Sequence, residues 1–236
     1  MIVDRPVDGW AAVVFDLDGV VLDSEHLWEE MWVAYAAARG ATWTADDTAH
    51  VQGMSAPEWS AYLARRAGGA DAPPECERAV VDGMVAALDS GRMEPFPGSP
   101  AMIREAAGRV PVALATSAPR HLIDAVLEHT GLAPAFRATV SSAEVDRGKP
   151  GPDVYLEAAR RLDVDPARCI GVEDSSNGIR AAHAAGMTVV ALPNAVYPPK
   201  PDALALAARV AVDVPAAHRE LMALLNGVPA GSGAVR

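Results

Sequence analysis

The chain has 236 residues and a formal charge of −11, from 31 acidic and 20 basic side chains, and half of its residues are hydrophobic. That apolar fraction supplies a sizeable core and excludes a disordered chain, while the acidic balance opposes nucleic acid and anionic membranes as partners. No apolar run reaches the roughly 18 residues of a membrane-spanning helix.

Met1 to Pro6 lacks the basic-then-apolar pattern of a secretory signal. Cys76 and Cys169 are far apart and give neither a disulfide framework nor metal-ligand spacing, which fits a reducing cytoplasm. Six scattered histidines form no zinc-ligand set.

The first element is the apolar run Ala11-Ala12-Val13-Val14, a buried strand leading into Phe15-Asp16-Leu17-Asp18-Gly19-Val20. Strand side chains alternate faces, so Asp16 and Asp18 are expected to point the same way while Leu17 packs. Two neighbouring carboxylates repel unless a cation or a shared proton lies between them. In open α/β sheets ligands bind at the carboxyl ends of strands. Gly19 leaves room there for close backbone approach. Asp-x-Asp-Gly is also ordinary turn chemistry, and on this segment alone both readings stand.

Residues 24–92 contain helix patterns and no clear strand. Leu27 to Arg39 reads as a helix stopped by Gly40. Ser55-Ala56-Pro57-Glu58 has capping-box spacing before a helix over Trp59 to Arg66. Residues 75–89 form another candidate. Trp28, Trp32, Trp43 and Trp59 all fall in this stretch, and at helical spacing most of them read as core. The expectation is a small helical domain, residues 23–95, inserted into a core of residues 1–22 and 96–236. The chain returns to that core through Pro95-Phe96-Pro97-Gly98.

Beyond it, short apolar runs alternate with helical patterns. Val110 to Ala115 is a strand, followed by a helix over 119–130 that stops at Gly131. Ala138 to Val140 is a brief strand, and a helix over 152–162 starts with Pro152 and Asp153. Cys169 to Val172 is a buried strand with Cys169 as a small core residue, and an Ala-rich helix follows over 176–185. Met187 to Leu192 and Val210 to Val212 are further strand candidates, and a frayed tail is expected from Gly227 to Arg236. The alternation predicts an α/β fold, a doubly wound Rossmann-like parallel sheet covered on both faces.

Three more strand ends carry candidate chemistry. In Leu114 to Pro119, Thr116 and Ser117 place hydroxyls before a helix, where a phosphate or a plain N-cap is served equally. Lys149 sits in a Gly/Pro-rich loop, either solvated or balancing carboxylates and a phosphate. Glu173 and Asp174 form a second acidic pair, with capping by Asp174 or Ser175 as the alternative. Asp16, Asp18 and Asp174 or Glu173 would supply the oxygen ligands that magnesium prefers.

The order of acidic pair, hydroxyl, lysine and acidic pair resembles the haloacid dehalogenase superfamily. FDLDGVVLDSEHLW (15–28), LATSAP (114–119), GKPGPDVY (148–155) and GVEDSSNGIRAAHAAGM (171–187) look like its four motifs. The helical insert is similar to the cap of its β-phosphoglucomutase-like and sugar-phosphate phosphatase branch. The resemblance implies Asp16 as nucleophile, Asp18 as general acid/base, and Gly19, Thr116, Ser117 and Lys149 around the phosphoryl group. It implies magnesium on Asp16, the Asp18 backbone carbonyl and Asp174, with Glu173 adjacent. Glu25, His26, Trp28 and the Gly53-Met54-Ser55 loop are candidate substrate contacts, with packing in the cap as the alternative for each.

Asp18 is absent from dehalogenases proper, so halide removal is not expected. No lysine occurs in residues 23–60, unlike phosphonate-cleaving relatives. Trp28 and Ala56 stand where mutases of the branch carry a histidine and a clamping arginine. The resemblance therefore implies a magnesium-dependent phosphatase of small phosphorylated metabolites, cytoplasmic, monomeric or homodimeric. A sugar phosphomutase and a non-catalytic phospho-ligand binder are the alternatives.

Overall fold

The computed structural model describes residues 9–194 and 196–227. The readings made for Met1 to Pro6 and for the tail beyond Gly227 lie outside the described residues. Six strands, β1 (Ala12–Phe15), β2 (Val112–Thr116), β3 (Ala138–Ser141), β4 (Cys169–Glu173), β5 (Thr188–Ala191) and β6 (Arg209–Val210), form one sheet. Its order is β3-β2-β1-β4-β5-β6, and every pairing is parallel. The sheet order reverses beside β1, so the strand tips on either side of it form the crevice expected for a doubly wound sheet.

The central strands β1, β2 and β4 are buried on both faces, as expected of a parallel sheet covered by helices, while the edge strand β6 is not. Alternation divides the apolar side chains between two cores. Val13, Phe15, Leu114, Ile170 and Val172 belong to one cluster; Ala12, Val14, Ala113, Ala115 and Cys169 belong to the other. Each fully buried aliphatic side chain contributes about 1.5–3 kcal/mol by leaving water. The second face is covered by α7 (Asp153–Leu162) and α8 (Ser176–Ala184), which contribute Tyr155, Ala158 and Ala182. The first face is covered by α5 (Ser99–Ala107), α6 (Arg120–Thr130) and α10 (Val214–Leu225), through Met102, Ile123 and Leu221.

Between β1 and α5 run four helices: α1 (Glu25–Ala37), α2 (Ala45–Val51), α3 (Ala56–Arg66) and α4 (Pro73–Asp89). Three start on side-chain bonds, α4 through Ala72 N donating to Glu75 at 3.1 Å. Thr44 and Asp47 cap α2 reciprocally, and the Glu58 carboxylate reaches back to Ser55 N at 2.9 Å to start α3. Trp28, Trp32, Trp43 and Trp59 pack against one another with ring centroids 5.8–6.1 Å apart. These rings join the same apolar cluster as the first face of the sheet. Their burial agrees with the core reading, although three of them also line a cavity, as described below.

Helices α2, α5 and α10 and the short α9 (Pro201–Leu204) were not anticipated by hydrophobic spacing. For α10 the missing signal was chemical: Asp213 Oδ1 accepts from Ala216 N at 2.7 Å, with Pro215 in the first turn. The strand anticipated over Val210 to Val212 is observed at Arg209–Val210, because Asp213 begins this cap directly afterwards.

Candidate active site

The ladder of β1 runs one residue past the strand, through Asp16 N to Val172 O at 3.0 Å. By alternation Asp16 shares a sheet face with Ala12 and Val14, and Glu173 at the end of β4 shares it with Cys169. Lys149, from the loop before α7, reaches the same face. Its ammonium lies 2.9 Å from Asp16 Oδ1 and 2.6 Å from Glu173 Oε1, with 1% of its side chain exposed. Tyr155 OH donates to Glu173 Oε1 at 2.6 Å, and Glu173 Oε2 accepts from the amides of Asp174 and Ser175. Glu173 is thus a saturated acceptor that anchors the lysine. A Cβ on Gly178 would lie 1.8 Å from its carboxylate, so only glycine fits there.

Asp18 departs from the expected alternation. After Leu17 the chain turns back on itself through Gly19 N to Leu22 O and Leu22 N to Leu17 O, both 3.0 Å. The Asp18 carboxylate therefore faces α1, where Oδ1 accepts from Ser24 Oγ and from Trp28 Nε1, the latter at 2.8 Å. Gly19 permits the turn with φ +72°, and a Cβ there would lie 1.9 Å from Asp174 Oδ2.

Oxygens of Asp16, Glu173 and Asp174 lie within 4.8 Å of one another. Like charges at that distance repel by roughly 3.5 kcal/mol at an effective dielectric of 20. Burial pushes the Asp16 carboxyl up to about 8, with Glu173 and Asp18 adding to the rise against Lys149. Burial, with Glu25, Glu173 and Asp16, raises Asp174 well above the usual range. Burial also raises Asp18, against the hydrogen bonds from Ser24 and Trp28. Lys149 is pulled down by burial, but Asp16 and Glu173 outweigh this and hold it charged. Asp16 Oδ1 is buried and accepts no well-aligned hydrogen bond, its neighbour Lys149 being an ion-pair partner only. Three carboxylates against one ammonium, all-oxygen donors and an unsatisfied buried oxygen fit a hard divalent cation. The Asp18 carboxylate stands outside that cluster.

The other anticipated residues divide. Thr116 is fully buried at the end of β2, and its Oγ1 accepts from Ala118 N at 3.0 Å. Ser117 does not cap α6, whose N-cap is Pro119; its hydroxyl donates to Gly53 O at 3.2 Å. Ser175, in contrast, is the N-cap of α8, accepting from Gly178 N. Asp16, Asp18, Glu25, Ser117, Lys149 and Asp174 all line one cavity, roofed by Trp28, Trp32, Trp59, Val51 and Met54. Burial raises Glu25 to about 7, with the Asp18 charge adding to the effect. His26 lies outside: 57% of its side chain is exposed and it sits 3.6 Å from Asp23, because that side of the first turn of α1 faces solvent.

Hydrophobic spacing passed over four contributors: Tyr155, Ser24, Gln52, whose amide donates to Glu25 at 3.3 Å, and Asn177, whose amide donates to Gln52 O at 3.3 Å. Tyr155 and Ser24 lie inside the quoted motifs, and their hydroxyls were the available signal.

A parallel doubly wound sheet thus carries a buried acid-and-lysine cluster at its switch point, where ligands of such sheets bind. The haloacid dehalogenase-like hydrolase family model matches residues 10–186. The chain belongs to this family. It is 31% identical over 182 residues to the fructose-1-phosphate phosphatase YqaB of Escherichia coli (strain K12), covering 77% of this chain and 95% of that protein. It is 32% identical over 189 residues to a bifunctional riboflavin kinase/FMN phosphatase of Arabidopsis thaliana, covering 78% of this chain but only 48% of that one. The crystal structure of CbbY from Rhodobacter sphaeroides in complex with phosphate superposes with a TM-score of 0.79 at 27% identity, covering 92% and 99% of the two chains.

Proposed function

We propose that the protein is a magnesium-dependent phosphatase of small phosphorylated sugars and related metabolites. The observation that carries this reading is the buried Asp16, held 2.9 Å from Lys149 and beside Asp174 at the mouth of one cavity. Relatives named as sugar phosphatases support the substrate class. In this reading residues 23–95 are the cap over a core of residues 1–22 and 96–236.

Asp16 attacks phosphorus while the bond to the substrate alcohol breaks, and Asp18 gives its proton to the departing oxygen. A carboxyl raised by burial suits that role, because it holds the proton nearer neutral pH. Asp18 then takes a proton from water, whose oxygen displaces Asp16 from phosphorus and releases inorganic phosphate. Thr116, already an acceptor from Ala118, keeps its hydroxyl proton for a phosphoryl oxygen. The Ser117 amide serves a second oxygen. Lys149 neutralises charge shared between Asp16 and the phosphoryl group. Asp16, Asp174 and the Asp18 backbone carbonyl would hold magnesium, with Glu173 adjacent and occupied by Lys149 and Tyr155. A bound magnesium ion supplies charge neutralisation on the phosphoryl oxygens.

Hydrolysis is favoured over mutase chemistry by the missing second clamp. Arg66, in the last turn of α3, is engaged by Asp47 at 2.8 Å. The test is release of phosphate from p-nitrophenyl phosphate and from a panel of sugar phosphates. Turnover with magnesium that vanishes in excess EDTA is expected. Undiminished turnover in EDTA removes the metal, and no turnover on any monoester removes the phosphatase reading.

A further inference from the structure

Two residues one helical turn apart direct their donors to the same oxygen. Ser24 stands at the N-cap of α1, and the Trp28 amide donates to its carbonyl, closing the first turn. Side chains at that spacing share one face of a helix. Ser24 Oγ and Trp28 Nε1 both donate to Asp18 Oδ1, the indole at 2.8 Å. The serine thereby forgoes the bond that an N-cap hydroxyl ordinarily makes. Thr44, Ser175 and Asp213 each accept an amide hydrogen from the first turn of their helices, whereas the Ser24 hydroxyl makes no cap bond. It is fully buried and turned to the carboxylate instead.

This convergence fixes which oxygen carries the proton of the acid. An indole N–H is a donor only, so Asp18 Oδ1 acts as an acceptor towards it. The oxygen that accepts two hydrogen bonds is not the one that bears the hydrogen of a carboxyl group. In protonated Asp18 that hydrogen therefore belongs to Oδ2. The indole is itself held in place, with the rings of Trp32 and Trp59 centred 5.8 Å away and only 6% of Trp28 exposed. A phenyl ring would fill the same stack and leave Oδ1 to the serine alone. Packing accounts for the ring of Trp28, but not for an N–H bonded to an acid that lines the same cavity as Asp16.

We propose that Ser24 and Trp28 are positioning residues that hold Asp18 with its proton on Oδ2, so that the site cleaves esters of ordinary alcohols, whose oxygen departs readily only with a proton. This rests on the phosphatase reading for the role of Asp18 and deepens it by naming the leaving groups that the helical segment admits. As Asp16 bonds to phosphorus, the bond to the ester oxygen breaks and leaves its electron pair on that oxygen. The departing oxygen takes the Oδ2 proton, and Asp18 becomes a carboxylate held by the same two donors. Those donors are already in place for the charge that develops on it. General acid catalysis contributes roughly 10²–10⁴-fold, of which a misdirected carboxyl forfeits a part. An activated ester such as p-nitrophenyl phosphate depends little on that help, whereas phenyl phosphate and sugar phosphates depend on it strongly. Neither Ser24 nor Trp28 takes part in bond making.

Dependence on the leaving group tests it. The quantity to follow is kcat/KM, which covers the steps up to departure of the alcohol, so the later uptake of a proton from water does not enter. Phenyl phosphate, p-nitrophenyl phosphate and fructose 1-phosphate are compared with magnesium present in the wild-type protein, Trp28→Phe and Ser24→Ala. The ratio of phenyl to p-nitrophenyl phosphate is expected to fall about tenfold in each variant, with fructose 1-phosphate following the phenyl ester. A merely structural role would lower both phenyl esters together, so an unchanged ratio in either folded variant overturns the proposal. Ser24→Ala removes a single oxygen and leaves the tryptophan stack intact, which keeps the test open if the phenyl variant does not fold. Wild-type turnover confined to the p-nitrophenyl ester also overturns the positioning of the acid. A wild-type protein that releases phosphate from none of the three esters overturns the phosphatase reading itself.

Discussion

The strand-tip edge and the helical segment between β1 and α5 are built on opposite terms. At the edge, Asp16, Lys149, Glu173 and Asp174 are buried charges, delivered from the ends of three strands or the loops that follow them. Their positions are fixed by the parallel register of the sheet and by backbone amides on Glu173. In the helical segment the buried groups are mainly aromatic and aliphatic side chains, and the buried Asp47 is paired with the half-exposed Arg66. The first region tolerates almost no displacement, because a buried carboxylate without its partner is costly. The second tolerates exchange among rings of similar volume, because apolar packing is non-directional. The proposed chemistry thus falls in the first region, and the proposed choice of substrate in the second.

Removing the proposed nucleophile breaks the comparison most sharply. Asp16→Asn should lower phosphate release by roughly four orders of magnitude or more, while the tryptophan fluorescence of the helical segment stays native. Retained turnover in protein free of contaminating phosphatase would detach Asp16 from the chemistry. A smaller disturbance at the same edge comes from Gly19→Ala. Its methyl group would overlap Asp174 Oδ2, and the φ of +72° adds strain. A displacement of about 1 Å at a reacting centre costs on the order of 10²-fold in kcat. An activity within threefold of wild type would mean that Asp174 is free to move.

The smallest effect sharpens the other side. Arg66, the largest influence, holds the Asp47 carboxyl below its ordinary range, with Tyr62 and Thr44 adding hydrogen bonds. A carboxyl depressed in the folded state stabilises above its unfolded value, near 3.9, and that contribution is lost as pH falls toward the folded value. Asp47→Asn should therefore cost about 2 kcal/mol at neutral pH and progressively less below about pH 4, followed by denaturant titration of tryptophan fluorescence. A cost independent of pH would show that the charge is irrelevant to the packing of α2 against α3.

The two regions also differ in how legible they were from sequence. The edge is written in consecutive residues: an apolar run, then Asp16 to Gly19; another run, then Glu173 and Asp174. Alternation of faces placed Asp16 correctly, and it failed at Asp18 because the turn closed by Leu22 ends the strand geometry first. Helix α10 was missed because its start is a capping aspartate and a proline, with hydrophobic spacing secondary. The shared cavity of Glu25, Trp32 and Trp59 depends on how α1 and α3 cross, and no spacing along either helix encodes a crossing. His26 illustrates the cost: one residue from Glu25, it faces solvent.

Two hydrogen bonds across the seam between the two regions end on main-chain oxygens. Ser117 and Asn177, both from the sheet side, donate to the carbonyls of Gly53 and Gln52. A carbonyl is the same oxygen whatever residue carries it. The Asn177 contact thereby makes no demand on the side chain at position 52, which is left to brace Glu25. Position 53 keeps one, since its φ of +76° and the Asn177 side chain 3.3 Å from where its Cβ would lie favour glycine. The arrangement works like a standard fitting: differently furnished helical heads can be mounted over the same strand tips, and the fitting registers them without reading what they carry.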